Sequence, residues 1–417
     1  MAESDARRAV AQAARDSRAR LVAFLAARSR DVAAAEDALA DAFRAALETW
    51  PDTGVPARPE AWLLTAARRR LIDAARHTQV RQDAVPTLRA VAEEAEEMAG
   101  SGTGFPDERL KLLFVCAHPA IDAGARTALM LQTVLGLDAA RIASAFLVKP
   151  AAMGQRLSRA KAKIRDAGIG FTLPGPADLP PRLHAVLEAI YAAYGTGWDH
   201  WDGADPRRRG LAAEAIELGR LLLHLMPGEP EAQGLLALML HCEARRAARR
   251  GPAGDYVPLT EQDTALWSAP MIAEADRLLT AAERAGRLGR FQLEAAIQSV
   301  HARRAATGRT DWRAVALLYE GLVRLAPTIG ALVGRAAAVA EAQDAQAGLA
   351  LLQALPQEAV AAYQPYWALA AHLLARLGRP EADAAFDRAI GLCEDEAARD
   401  FLTRRRRAAM ARDGRLG

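Results

Sequence analysis

Cysteine is scarce in this chain of 417 residues, whose three thiols are Cys116, Cys242 and Cys393. They are odd in number, far apart and never spaced as a CxxC pair, which argues against a disulfide framework and a structural zinc site and fits a reducing cytoplasm. Aromatic residues amount to 5% against 51% hydrophobic in all, with Ala and Arg throughout. That balance favours packed helices and nearly excludes an all-β fold, because strands draw on Val, Ile, Tyr, Phe and Thr. No run approaches the roughly 18 apolar residues of a membrane helix, and "MAESDARRAV" carries charge where a signal peptide needs its apolar core. Neither a membrane span nor export is therefore expected. Charge of one sign is lacking too: 54 Lys and Arg oppose 51 Asp and Glu, for a net +3. Any affinity for nucleic acid must come from a local patch. Walker A, dinucleotide-fingerprint, HExxH and GxSxG patterns are absent, and no pair of carboxylates stands out by spacing. The chain is thus expected to be neither an enzyme nor a holder of cofactor or metal.

What is present is a succession of helical patterns long enough for about two to three domains. Up to about Thr78 they are broken by the Pro-rich "WPDTGVPARPE". Ahead of that loop Leu39, Phe43, Ala46, Leu47 and Trp50 recur at helical spacing, with Glu36, Asp37, Asp41 and Glu48 largely on other faces. From Asp83 to Glu108 acids dominate, with Arg89 as the lone base, and "GSGTGFP" follows. This reads as an acidic, flexible linker at 83–106. Helices resume from Asp107 to about Gly170 and close at the Pro-rich "FTLPGPADLPP". Beyond, "LLLHLMPGEPEAQGLLALML", "LVRLAPTIGALVGRAAAVA" and "LLARLGRPEADAAFDRAIGL" share one grammar: a Leu-rich helix, a Pro or Gly stop, then a small-residue helix. In the last of these Ala382, Ala385, Phe386 and Ala389 lie on one face. These read as degenerate tetratricopeptide-like hairpins, with an irregular all-α domain as the alternative.

The sharpest local signal is "LDAARIASAFLVKPAAMGQRLSRAKAKIR", Leu137 to Arg165. Asp138 can cap a short helix, Lys149 lies in a tight turn, and Pro150 can open the next helix, where its missing N–H costs nothing. Met153, Leu157, Ala160 and Ile164 form the inward stripe, leaving Gln155, Ser158 and Arg159 outward with Arg156, Lys161 and Lys163 on the flanks. Seven basic residues and no acid lie between Arg141 and Arg165. Such a helix can enter a major groove, Gln or Arg reaching base edges while other cations grip phosphates. A solvated basic helix that touches nothing is the alternative. Gly154 argues mildly against a helix here. A second basic element, "PEAWLLTAARRRLIDAARHTQVR", opens at Pro59. Leu63, Ala67, Leu71 and Ala74 mark its buried side, and Arg68, Arg69, Arg70 and Arg76 project elsewhere, either toward DNA or as stems covering a bundle. Trp50 and Trp62 read as core rather than as base-stacking platforms.

In order, "AAAEDALADAFRAALETWP", "PEAWLLTAARRRLIDAAR", "DERLKLLFVCAHPAI" and "ARIASAFLVKPAAMGQRLSRAKAKIRDAG" resemble a bacterial extracytoplasmic-function sigma factor over residues 15–170. The remainder, with "GLLALML", "FQLEAAIQSVHA" and "DWRAVALLYEGLVRLAP", resembles the subgroup with a C-terminal tetratricopeptide-like domain. The resemblance implies an all-α protein in four parts: region two at 1–82, the acidic linker at 83–106, a helix-turn-helix region four at 107–172, and a regulatory helical domain at 173–417. It implies that Glu36, Asp37 and Asp41 dock on the β′ clamp helices of core RNA polymerase, with the β flap as a further contact. Asp52, Thr53, Arg58, Arg68, Arg69, Arg70 and Arg76 would serve the −10 element. Gln155, Arg156, Ser158, Arg159, Lys161 and Lys163 would serve the −35 element, and the linker would thread channels otherwise filled by nucleic acid. No separate anti-sigma factor would be required. The chain departs from the family pattern at Arg69, where Asn is common, at Cys116-Ala117-His118-Pro119, where paired cysteines are common, and around Trp198. Cys116 and His118 read as a core thiol and a packing or capping His. Two other classes fit the same residues: a helix-turn-helix regulator with a ligand-sensing helical domain, and a tetratricopeptide scaffold whose basic helices only pack.

Overall fold

A computed structural model of the protein describes residues 2–77, 107–146, 148–175, 177–198 and 210–413. The acidic segment expected at 83–106 lies outside the described residues, as does 199–209. Among the described residues the fold is all-α, with an isolated antiparallel bridge between Arg250 and Tyr256. Contacts divide the chain into two compact units, Met1–Leu218 and Gly219–Gly417.

The first unit opens with α1 (Ala2–Asp16), α2 (Arg18–Ser29), α3 (Val32–Thr53) and α4 (Pro59–His77). The Asp31 carboxylate accepts from the Ala34 N–H at 3.1 Å and so caps α3. Six consecutive residues of α2, Leu21 to Ala26, are buried, because other helices surround it. On α3 the inward stripe is Val32, Ala35, Ala38, Leu39, Ala42, Ala46 and Trp50. Its small residues let α1, α2 and α4 approach closely. Trp50 and Trp62 meet edge to face, centroids 5.4 Å apart, and Trp50 is fully buried, which makes it core as expected. Three expectations are corrected. Leu47 falls outside the stripe and is 45% exposed. Ala74 is also exposed rather than buried. The helix runs through Pro51 to Thr53, so Asp52 and Thr53 sit in its last turn. Gly54, at φ +83, then ends it and leaves a short connection to α4.

Next come α5 (Arg109–Cys116), α6 (Ala123–Thr133), α7 (Ala139–Ala145) and α8 (Pro150–Asp166). Seven of the eight residues of α5 are buried. Then α9 (Leu179–Trp198) packs on α5 and α6, with Arg182 donating to the Phe114 carbonyl at 3.4 Å. Arg109, 9% exposed at its side chain, pairs with Asp107 and with Glu214 of α10 (Leu211–Leu225). These contacts tie residues after 173 to the first unit. By contact the compact units part between Leu218 and Gly219, inside α10.

The second unit builds from α11 (Pro230–Glu243), α12 (Ala269–Arg284), α13 (Arg290–Ala302), the single turn α14 (Arg304–Thr307), α15 (Trp312–Leu325) and α16 (Ile329–Ala342). It ends with α17 (Ala345–Gln353), α18 (Gln357–Val360), α19 (Gln364–Arg376), α20 (Ala382–Gly391) and α21 (Glu396–Asp413). The longer helices pack chiefly on their near neighbours in the chain. Asp311, Thr328 and Asp344 each cap the helix that follows. Gly234 has a packing reason: a Cβ there would come within 2.6 Å of the Gln292 backbone nitrogen, so α11 and α13 meet backbone to backbone. Ala382, Ala385, Phe386 and Ala389 are buried on one face, as their spacing predicts.

Candidate nucleic-acid interface

Helix α8 is positioned from both ends. Asp138 accepts from the Arg141 N–H at 2.9 Å and starts α7, while Lys149 is the extended N-cap of α8 and Pro150 its first residue. Met153, Leu157, Ala160 and Ile164 are buried against α6 and α7, as the apolar stripe predicts. Gln155, Ser158, Arg159 and Lys163 are exposed, and Arg156 is half-buried. This outer face holds donors and cations with no carboxylate among them, the composition that base edges and phosphates require.

Lys161 departs from the expectation. Its side chain is 13% exposed and its ammonium donates to Glu36 of α3 at 2.5 Å. Glu36, expected on an open acidic face, is 14% exposed and also faces Arg18 at 3.7 Å. The two side chains assigned to DNA and to polymerase are each other's partners. Nearby, Arg165 lies 3.9 Å from Asp31 and 2.9 Å from Asp166. The hydrogen bond that Arg165 donates to Asp166, then the charges of Asp166 and Asp31, hold the Arg165 guanidinium above its usual range. Asp37 is exposed, and Asp41 pairs with Arg44 at 2.9 Å on the surface.

On α4 the arginine run divides. Arg69 and Arg70 are exposed, as expected, but Arg68 is 7% exposed, its guanidinium 5.4 Å from the centre of the Phe24 ring. Arg68 is thus corrected from a DNA ligand to a buried side chain. The reason is phase: Leu64, Arg68 and Leu71 stand at i, i+4 and i+7, on the inward stripe. That spacing was readable in the sequence. Arg58 is exposed in the connection before α4, and Asp52 and Thr53 are exposed at the end of α3. The side chain of Arg76 lies outside the described residues. Reasoning from sequence missed Arg18 and Asp31, whose roles depend on residues remote in the chain. Asp31 had at least the signature of an N-cap.

Cys116 is fully buried and touches Thr133 Oγ1 at 3.5 Å, and burial pushes its thiol up to about 12. His118 accepts from the Ala120 N–H at 3.1 Å within the turn between α5 and α6, at neither helix end. Among the described residues no three or more His, Cys, Asp or Glu gather as a metal site, and no helix is long and apolar enough to cross a membrane.

Comparison with known proteins gives this geometry a family. Sigma-70 region 2 matches residues 14–81, which span α2, α3 and α4. A family of unknown function, DUF6596, matches residues 182–283. The first match supports a sigma-70 family sigma factor, and that region implies core RNA polymerase and promoter DNA as partners. An uncharacterized protein of Rhizobium meliloti (strain 1021), R00370, is 41% identical over 379 residues, 89% of each chain. The protein belongs to the same family as that Rhizobium protein. No solved structure matches.

Proposed function

We propose that the protein is a sigma factor of the extracytoplasmic-function type. It brings core RNA polymerase to a promoter with −35 and −10 elements in the cytoplasm and helps open the DNA, with no covalent chemistry of its own. The observation that carries this reading is the sigma-70 region 2 match on 14–81. In this reading α8 is the second helix of a helix-turn-helix in region four. Gln155, Arg156, Ser158 and Arg159 meet the −35 bases and phosphates, with Lys163 on the flanking backbone. Arg58, Arg69 and Arg70 hold the −10 strand beside Asp52 and Thr53, with Arg76 as a further phosphate contact. Unstacking a base costs a few kcal/mol, which these contacts and polymerase binding offset. Asp37 and Asp41, with Glu36 once released from Lys161, meet the β′ clamp helices, and the β flap takes region four. The acidic segment 83–106 occupies polymerase channels. The C-terminal unit, read as tetratricopeptide-like, regulates the protein in place of a separate anti-sigma factor. Its neighbour-on-neighbour helix packing supports that reading.

The test is run-off transcription by core polymerase, purified free of other sigma factors, from a library of bacterial promoter fragments. Transcripts with defined starts should depend on the added full-length chain. If no fragment yields one, the proposal fails.

A further inference from the structure

In the second unit α11 packs on both α12 and α13. The chain that follows α11 folds back on it, so that the Ser268 N–H donates to the Ala244 carbonyl at 2.8 Å. This return sets Trp267 beside the end of α11, and Arg304 fixes it there. The Arg304 guanidinium donates to the carbonyls of Thr260 at 2.7 Å, Gln262 at 2.8 Å and Leu259 at 2.9 Å, and lies 5.1 Å from the centre of the Trp267 ring. A cavity of about 10 Å³ remains among these elements, room for one atom the size of a water oxygen. His241, Arg245, Trp267, Gln298 and His301 form its polar lining, and Ile272 and two alanines the apolar part.

Two of the polar groups are left unmet. The His241 side chain is fully buried and neither ring nitrogen makes a hydrogen bond; Nε2 stands 3.4 Å from Asp276 Oδ1, which accepts from the Ser299 hydroxyl at 2.8 Å. Trp267 is 7% exposed, and its indole N–H is buried without an acceptor. Buried polar groups of this kind destabilise a fold unless something else answers them. What would answer them is set by the rest of the lining, where donors outnumber acceptors. The Gln298 carbonyl oxygen already accepts from Arg245 at 2.7 Å, which leaves the amide N–H₂ to donate. Burial, then the charges of Arg245 and Arg304, push the His301 imidazole down to about 4, the mark of a positive field. Asp276 is half exposed and stands outside the lining.

We infer that this cavity is a carboxyl-binding site, taking one oxygen of a small organic acid between Trp267 and His241. The indole N–H donates to that oxygen, with Arg245 and the Gln298 amide as further donors. His241 donates or accepts according to whether the carboxyl group has shed its proton, a freedom that a simple anion such as chloride lacks. Arg245, Ile272, Gln298 and His301 are half-buried, so the short apolar chain of the acid leaves along Ile272 toward solvent. His241 to Ile272 fall inside the segment matched by DUF6596, and Gln298 and His301 are supplied by α13 beyond it. Every residue of the site belongs to the second unit, so the inference stands apart from the sigma-factor reading.

The experiment uses the full-length protein and follows the indole N–H of Trp267 by nuclear magnetic resonance, its signal assigned by loss in Trp267→Phe. Formate, acetate and propionate are titrated at fixed pH and ionic strength, with chloride as the control anion. The carboxylates should move the signal saturably, with affinities on the order of millimolar for ligands of so few atoms, and chloride should not. In calorimetry Trp267→Phe, which keeps a ring beside Arg304 and removes the N–H, should weaken acetate binding about tenfold. His241→Leu should abolish it. Circular dichroism and thermal melting establish that each variant is folded, and Trp267→Phe carries the test alone if His241→Leu is not. A signal that no carboxylate moves, or that chloride moves equally, overturns the site, as does an unchanged acetate affinity in folded Trp267→Phe.

Discussion

Helices α4 and α8 look alike in sequence, each an apolar stripe interrupted by a dense run of Arg and Lys, yet the fold uses their cations differently. In α4 adjacent arginines part company: Arg68 is buried at 7% exposure over Phe24, while Arg69 and Arg70 face out. In α8 the outer face stays open and only the flank is taken, by the pairing of Lys161 with Glu36. A basic run is therefore not a basic surface. What each cation can do is set by its phase relative to the apolar stripe and by what another helix brings alongside.

The comparison can be sharpened most forcefully at a second buried arginine. Arg109→Ala removes the partner of Asp107 and Glu214 and should cost about 3 kcal/mol in urea denaturation, as for one side of a buried pair. Burial raises the Asp107 pKa, but the hydrogen bond and charge of Arg109 outweigh this and leave it below its ordinary value. A depressed carboxylate adds stability above its unfolded pKa of about 4, and that contribution is lost as pH falls through the folded value. The parent should lose stability below about pH 4 more steeply than Arg109→Ala.

Next, Arg68→Ala should cost about 2 kcal/mol of stability, mainly as lost packing around Phe24. Arg69→Ala and Arg70→Ala should leave stability within about 0.5 kcal/mol and weaken promoter binding by the polymerase complex instead. Equal effects of the three on stability would erase the distinction drawn within α4. On α8, Arg159→Ala should lower the log-log salt slope of that binding by about 0.9 if Arg159 meets a phosphate. Gly154→Ala is opposite in sign: a Cβ there would meet nothing within 4 Å, so the change should stabilise by about 1 kcal/mol and leave the outer side chains of α8 in place.

Much of this was legible in the residues themselves. Helical periodicity, the cap at Asp138, the Pro150 start and the stripe Met153, Leu157, Ala160, Ile164 are local, and each stands as read. So are the core roles of Trp50 and Cys116. Arg68 shows the opposite case: its charge suggests a DNA contact, while its phase with Leu64 and Leu71 turns it inward. Glu36 and Lys161 are a different matter. They are 125 residues apart, and no periodicity in either helix specifies a partner in the other. Arg182 on Phe114 and Arg109 on Glu214 are equally long-range pairs that no local pattern announces.

The central claim concerns promoter recognition that depends on polymerase, and mobility-shift titration of promoter fragments tests it most directly. The full-length protein is titrated alone and then with core enzyme. The account predicts weak, salt-sensitive, sequence-indifferent retention by the protein alone and a specific complex once core polymerase is present. Tight, specific binding by the protein alone, unchanged by core polymerase, would contradict it.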